Sequence, residues 1–134
     1  MENLFLSYEY TTLVTILAIL INLFFMFRTG LNRLKLKVNA PKTVGNETWE
    51  RYFRVHANTV EQMVIFMPAL WLAAIYSSDQ WAAGIGVVWL VGRLIYSYNY
   101  ISKPKSRAPG MLMTFGSTVV LAGIALTHVV IGMI

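Results

Sequence analysis

The chain has no cysteine, two histidines and six acidic residues in 134 positions. Without cysteine there is no disulfide framework, no thiolate metal site and no thiol nucleophile of its own. His56 lies in the second apolar segment and His128 in the last, so no pair has metal-ligand spacing and no metal is expected. Charge of either sign is scarce: 13% of residues are Asp, Glu, Lys or Arg, against about one-quarter in an ordinary globular domain. There is no internal repeat and no low-complexity segment. The N-terminus carries Glu2 and Glu9 in place of a basic start, which argues against a cleavable signal peptide.

What remains is 57% hydrophobic, with a mean hydropathy of +0.57. One small integral membrane domain spanning residues 1–134 is the natural reading. The formal net charge of +5 does not point to nucleic acid. The basic residues lie between apolar runs, where they suit membrane lipid or an anionic ligand.

Four apolar runs predict an all-α, four-helix membrane bundle with helices at about 10–27, 49–76, 81–101 and 110–133. The first run, Tyr10 to Phe27, is followed by Arg28, Thr29 and Gly30, a basic residue and a stop signal. The second, Met63 to Tyr76, is too short alone. Extended back to Trp49 it takes in Arg51, Arg54, Asn58 and Glu61, so its polar half needs shelter or water. Pro68 is expected to kink it, and Pro104 to end the third helix. Ala108, Pro109 and Gly110 then open the fourth. Gly84, Gly86, Gly92, Gly116, Gly123 and Ala125 suit close helix packing, and Asn22 a hydrogen bond between helices. Lys and Arg cluster in the first and third connections, while the second has only Asp79. The positive-inside rule places those basic loops in the cytoplasm and both termini outside, in the inner membrane if the cell is bacterial.

Two polar constellations interrupt this apolar background: Arg54, Asn58, Glu61 and Gln62, then Arg93, Tyr96, Tyr100 and Arg107. At 100° per residue, Arg54, Asn58 and Glu61 fall within roughly 60° on one helix, with Gln62 at the edge. Arg93, Tyr96 and Tyr100 form a similarly narrow stripe, and the two stripes can meet in one pocket. Ionisable groups at membrane depth are costly and mark sites. A bland alternative is an ion pair between Glu61 and one arginine that locks two helices. Three arginines, one acid, two amides and two tyrosines exceed that need and suit an anionic ligand rich in hydrogen-bonding groups. Arg107, past Pro104 and near the membrane surface, is placed to stabilise a thiolate. With no cysteine present, that thiol must arrive with a substrate.

The segments Arg54-Val-His-Ala-Asn58-Thr-Val-Glu61-Gln62 and Arg93-Leu-Ile-Tyr96-Ser-Tyr-Asn-Tyr100, followed by Arg107, resemble the MAPEG family, the membrane-associated proteins of eicosanoid and glutathione metabolism. The resemblance covers nearly the whole chain. It implies a homotrimer of four-helix subunits that binds glutathione between neighbours. Arg54, Asn58, Glu61, Arg93, Tyr96 and Tyr100 would then hold the tripeptide, Gln62 would stand where some members have tyrosine, and Arg107 would stabilise the thiolate. Arg33 matches one of a basic pair after the first helix, and its partner position is Leu34 here. The implied activity is a glutathione transferase acting on lipophilic electrophiles, with a peroxidase reaction on lipid hydroperoxides as a further expectation. Two other readings stay open: a non-catalytic lipid- or glutathione-binding membrane protein, and a small multidrug transporter using Glu61 for proton coupling.

Overall fold

The computed structural model describes residues 7–134; the Glu2 of the signal-peptide argument lies outside the described residues. Four long helices follow in order, α1 (Glu9–Leu36), α2 (Glu47–Tyr76), α3 (Asp79–Ser102) and α4 (Ala108–Met133), with a 3-10 turn at Pro104–Ser106 before the last. The described residues contain no strand. Each helix is long and apolar enough to cross a membrane. The chain is an all-α, multi-pass integral membrane bundle.

Helix ends are set by local chemistry. Asn46 caps α2, its side chain accepting from the Trp49 amide at 2.9 Å, with Glu47 and Glu50 in the first turn where the helix dipole favours acids. Ser78 caps α3 and accepts from the Trp81 amide at 3.4 Å. The start of α1 has no cap from its own neighbouring side chains. Instead, Asp79, the first residue of α3, accepts from the backbone amides of Thr11 at 2.8 Å and Tyr10 at 3.2 Å.

α1 does not stop at Arg28 to Gly30 as the sequence suggested; it runs to Leu36 and ends at Lys37, in the left-handed region at φ 57°. One glycine costs a helix only about 1 kcal/mol. Arg28 stays within the helix because its guanidinium rests on the rings of Phe24, Phe25 and Tyr52. α2 runs from Glu47 to Tyr76 with Pro68 inside it. α3 ends two residues before Pro104, and Pro109 sits in the first turn of α4, where its missing donor is no loss.

The apolar core joins all four helices through Val14 and Ala18, Phe66 and Leu70, Trp89 and Leu90, and Leu121. Phe66 and Trp89 stack across α2 and α3, with ring centres 4.1 Å apart and planes 5° from parallel. The outer surface is also apolar, with Leu13, Val64, Leu112 and Ile131 all exposed, as a bilayer-facing surface requires. A second cluster, Phe25, Val55 and Tyr96, closes the core toward the end where the polar residues lie.

Close helix approach is more selective than glycine placement suggested. A Cβ on Gly92 would lie 2.8 Å from the Cβ of Met113, and one on Gly110 would lie 2.4 Å from the backbone nitrogen of Tyr96. Gly86 is also tight, against Val14 and Leu70. A Cβ on Gly84, Gly116 or Gly123 would meet nothing within 4 Å, so these three mediate no close packing inside the chain. Nor does Asn22 make the expected interhelical bond: its Oδ1 is buried without a partner.

Candidate functional site

The polar residues gather where the N-terminal half of α2, the C-terminal half of α3 and the start of α4 converge. Arg51 ties the first two together, donating from Nη1 to the carbonyl of Ile101 at 3.0 Å and pairing with Glu47 at 2.9 Å. The third connection is fixed beside them by the Gly110–Tyr96 approach.

Arg93 is the hub. Only 1% of it is exposed, and its guanidinium faces three hydrogen-bond acceptors on two neighbouring helices. Nη1 donates to Asn58 Oδ1 at 2.8 Å and to Thr59 Oγ1 at 3.2 Å; Nη2 donates to Thr114 Oγ1 at 3.4 Å. The guanidinium lies over the ring of Tyr96 at 4.4 Å, and Tyr96 stacks on Tyr100 with centres 5.5 Å apart. All of the oxygen partners are neutral. Salt bridges among the described residues are Arg51–Glu47 and Arg54–Glu61, so the cationic hub has no carboxylate of its own. Nε of Arg93 is buried without a partner.

Arg54 and Glu61 differ from the hub in exposure. Their 3.4 Å contact joins two side chains of the same helix, each at least half exposed. The ion pair locking two helices is therefore not what Glu61 forms. An exposed pair of this kind is worth only about 0–1 kcal/mol, so both groups can exchange one another for a ligand at little cost. Gln62 lies beside Glu61, with its Oε1 buried and unpartnered.

The remaining candidates sit apart within a single chain. Arg33 braces the α1–α2 connection: it donates to the carbonyls of Lys42 at 2.7 Å and Val38 at 3.4 Å and lies 4.2 Å above the ring of Trp49. Leu34 beside it is exposed. Arg107 precedes α4, is exposed, and donates only to the carbonyl of Pro104, at 3.0 Å. The two stripes thus meet at Arg93–Asn58, while Arg33 and Arg107 make no hydrogen bond to that group among the described residues. Sequence reasoning missed Thr59, Thr114 and Gly110. Threonine is unremarkable inside an apolar helix; the available signal was Thr59 adjoining Asn58, and Thr114 one turn beyond Gly110.

This arrangement extends across almost the whole chain, and so does its match to known proteins. The sequence pattern of the MAPEG family matches residues 11–127. The chain belongs to the MAPEG family. Among its MAPEG relatives, an uncharacterised protein of Synechocystis is 40% identical over 109 residues, covering 81% of this chain and 80% of its own. The human microsomal glutathione S-transferase 2 is 35% identical over 103 residues, covering 77% and 70% respectively. The guinea-pig leukotriene C4 synthase is 32% identical over 94 residues, covering 70% and 63%. The region matched to the MAPEG family holds α2 and α3 whole, most of α1 and α4, and both polar stripes. Neither Leu34 nor Gln62 makes a side-chain hydrogen bond to the Arg93 hub among the described residues.

Proposed function

We propose that this protein is a membrane-bound glutathione transferase. The observation that carries the reading is a buried arginine without a carboxylate counter-ion among the described residues, at the end of the bundle that also carries exposed Arg54, Glu61 and Arg107. Similarity to proteins named for glutathione transfer and leukotriene C4 synthesis supports it. Glutathione has two carboxylates, one ammonium and two amides, and it supplies the thiol that this cysteine-free chain lacks.

In this reading Arg54 takes a carboxylate by charge-assisted hydrogen bonds, and Glu61 with Gln62 takes the ammonium. Arg93 acts mainly as a positioning residue, fixing Asn58 and Tyr96, and Tyr100 closes over the peptide backbone. Arg33 adds a basic group from the last turn of α1, completed across a homotrimer interface. Arg107 stabilises the thiolate as the thiol proton leaves to solvent. The thiolate sulfur then forms the new bond to a lipophilic electrophile arriving from the bilayer, displacing a leaving group or opening a strained ring. With a lipid hydroperoxide as acceptor, two glutathione molecules are oxidised to the disulfide while the hydroperoxide is reduced to alcohol and water. Both basic connections face the cytoplasm, where glutathione is available.

Stopped-flow absorbance near 240 nm, in the band of the thiolate, tests the central step. Mixing purified protein with glutathione should give a saturable thiolate signal that Arg107→Ala abolishes while equilibrium binding persists. An Arg107→Ala protein that conjugates as fast as the parent at saturating glutathione overturns this role. Binding without any thiolate in the parent would instead identify a non-catalytic binding protein.

A further inference from the structure

A second arginine lies within the bundle on α1, outside the hydrogen-bonded group of the hub. Arg28 follows directly on the apolar run Tyr10 to Phe27 and is half-buried. Its guanidinium lies 5.3, 4.8 and 5.0 Å from the ring centres of Phe24, Phe25 and Tyr52. Among the described residues its guanidinium makes one hydrogen bond, from Nη2 to Ser97 Oγ at 2.8 Å, and its Nε is buried without a partner. Neither salt bridge among the described residues involves it. A guanidinium carries five N–H donors, so most of its capacity is unused at a depth where water is scarce.

Beside Arg28 is a cavity of about 200 Å³ lined by Arg28, Tyr52, Tyr98, Ile101 and Ser102. It offers one positive charge, two phenols and no acid. One helical turn further into the membrane, Phe24 on α1 and Leu94 on α3 become the walls of an apolar groove of about 430 Å³. That groove shares Leu17 and Val87 with the next one along the same two helices, which reaches Tyr10 and Gln80. From Leu13 to Phe24 the groove walls span about 16 Å along the helix axis. A polar, cationic head cavity therefore leads into an apolar channel aligned with the bundle axis and open to the surrounding bilayer.

We propose that the α1–α3 face is a binding site for an anionic phospholipid, with the phosphate held by Arg28 and the two phenols and an acyl chain lying along the groove. The fork of donors on Arg28 suits a phosphodiester. The groove, open along its length, suits a ligand already dissolved in the membrane rather than a free anion. None of its lining residues is assigned to the glutathione chemistry, and Arg28 makes no hydrogen bond to Arg93, Asn58 or Tyr96 among the described residues.

Native mass spectrometry of the full chain in neutral detergent, with phosphatidylglycerol or phosphatidylcholine added at equal concentration, tests the assignment. Both lipids present a phosphodiester, but the choline ammonium of phosphatidylcholine is repelled by a cavity whose one charge is Arg28 and which has no acid to receive it, so about tenfold greater retention of the anionic lipid is expected. Arg28→Gln should bring the two lipids to near-equal retention. Gly84→Phe should fill the groove, since a Cβ there meets nothing within 4 Å, and should lower retention of both lipids with Arg28 left in place. Equal retention of the two lipids by the parent overturns the proposal, as does an Arg28→Gln protein that keeps the preference. Displacement of the lipid by inorganic phosphate would reveal a free-anion site instead, and displacement by equimolar palmitate a fatty-acid site; either outcome overturns the phospholipid as occupant. Should Arg28→Gln fail to fold, unchanged phosphatidylglycerol retention by Gly84→Phe is sufficient to overturn it.

Discussion

Replacing Gly110 by alanine should destabilise this protein although it adds a single methyl group. The new Cβ would lie 2.4 Å from the nitrogen and 2.6 Å from the Cα of Tyr96, and 2.8 Å from the carbonyl oxygen of Gly92. Carbon atoms in ordinary contact sit about 3.5–4.0 Å apart, so the shortfall is roughly 1 Å. All three opposing atoms are backbone, fixed inside α3, and no rotamer change can relieve them. The start of α4 must move away, and Thr114 moves with it. Its hydroxyl is already 3.4 Å from Arg93 Nη2, so the same shift breaks that hydrogen bond. Over-packing costs about 1–3 kcal/mol, and a buried charge losing a partner adds about 1–3 kcal/mol. Alanine's better helix propensity returns less than about 1 kcal/mol. Taking the middle of each range, the net loss is roughly 3 kcal/mol, a midpoint lower by about 10 °C. Thermal unfolding in detergent, followed by far-ultraviolet circular dichroism, measures it. Gly116→Ala is the control, because its Cβ meets nothing within 4 Å, and it should unfold like the parent. Equal midpoints for the two variants would refute the backbone-to-backbone contact of α3 and α4.

Asn58→Leu should cost about 2–3 kcal/mol in denaturant unfolding, because it leaves Arg93 Nη1 without its 2.8 Å acceptor; a loss below roughly 0.5 kcal/mol, the range of surface substitutions, would mean the bond is not maintained in the membrane. Arg54→Gln and Glu61→Gln should change stability by no more than about 0.5 kcal/mol, since the pair is exposed. Each should nevertheless weaken glutathione binding about tenfold by calorimetry; unchanged affinity in both would remove these residues from the site. Trp49→Phe should lose about 1–2 kcal/mol with its 3.1 Å bond to the Thr29 carbonyl. It should also speed amide exchange across residues 37–46; exchange at the parental rate would show that the Arg33–Trp49 contact does not brace this connection.

The polar stripes were legible because helical periodicity alone aligns Arg54 with Asn58 and Glu61, and Arg93 with Tyr96 and Tyr100. Which arginine is buried was not. Arg54 and Arg93 look alike in sequence, and their separation depends on α4 arriving against α3 to bring Thr114 over one of them. The end of α1 was misplaced for a related reason. A basic residue before Gly30 reads as a stop signal, but Tyr52 and Ser97, distant in sequence, provide Arg28 with a place inside the bundle. Glycine spacing identified Gly86 and Gly92 as close contacts but equally favoured Gly84, Gly116 and Gly123. Periodicity names a face, whereas the partner helix decides whether that face is covered.

The carboxylate of Asp79 has a consequence for how the chain is built. α1 leaves the ribosome with its first amides unmet, and the group that accepts from Thr11 is made 68 residues later. The first helix is therefore finished only when the beginnings of α1 and α3 stand on the same side of the bilayer. A chain with either segment inserted backwards, or with the hairpin between them failing to return, cannot form the bond. The acid that opens α3 thus reports topology: its bonds to the first turn of α1 form only in a chain whose α1, α2 and α3 cross in alternating directions.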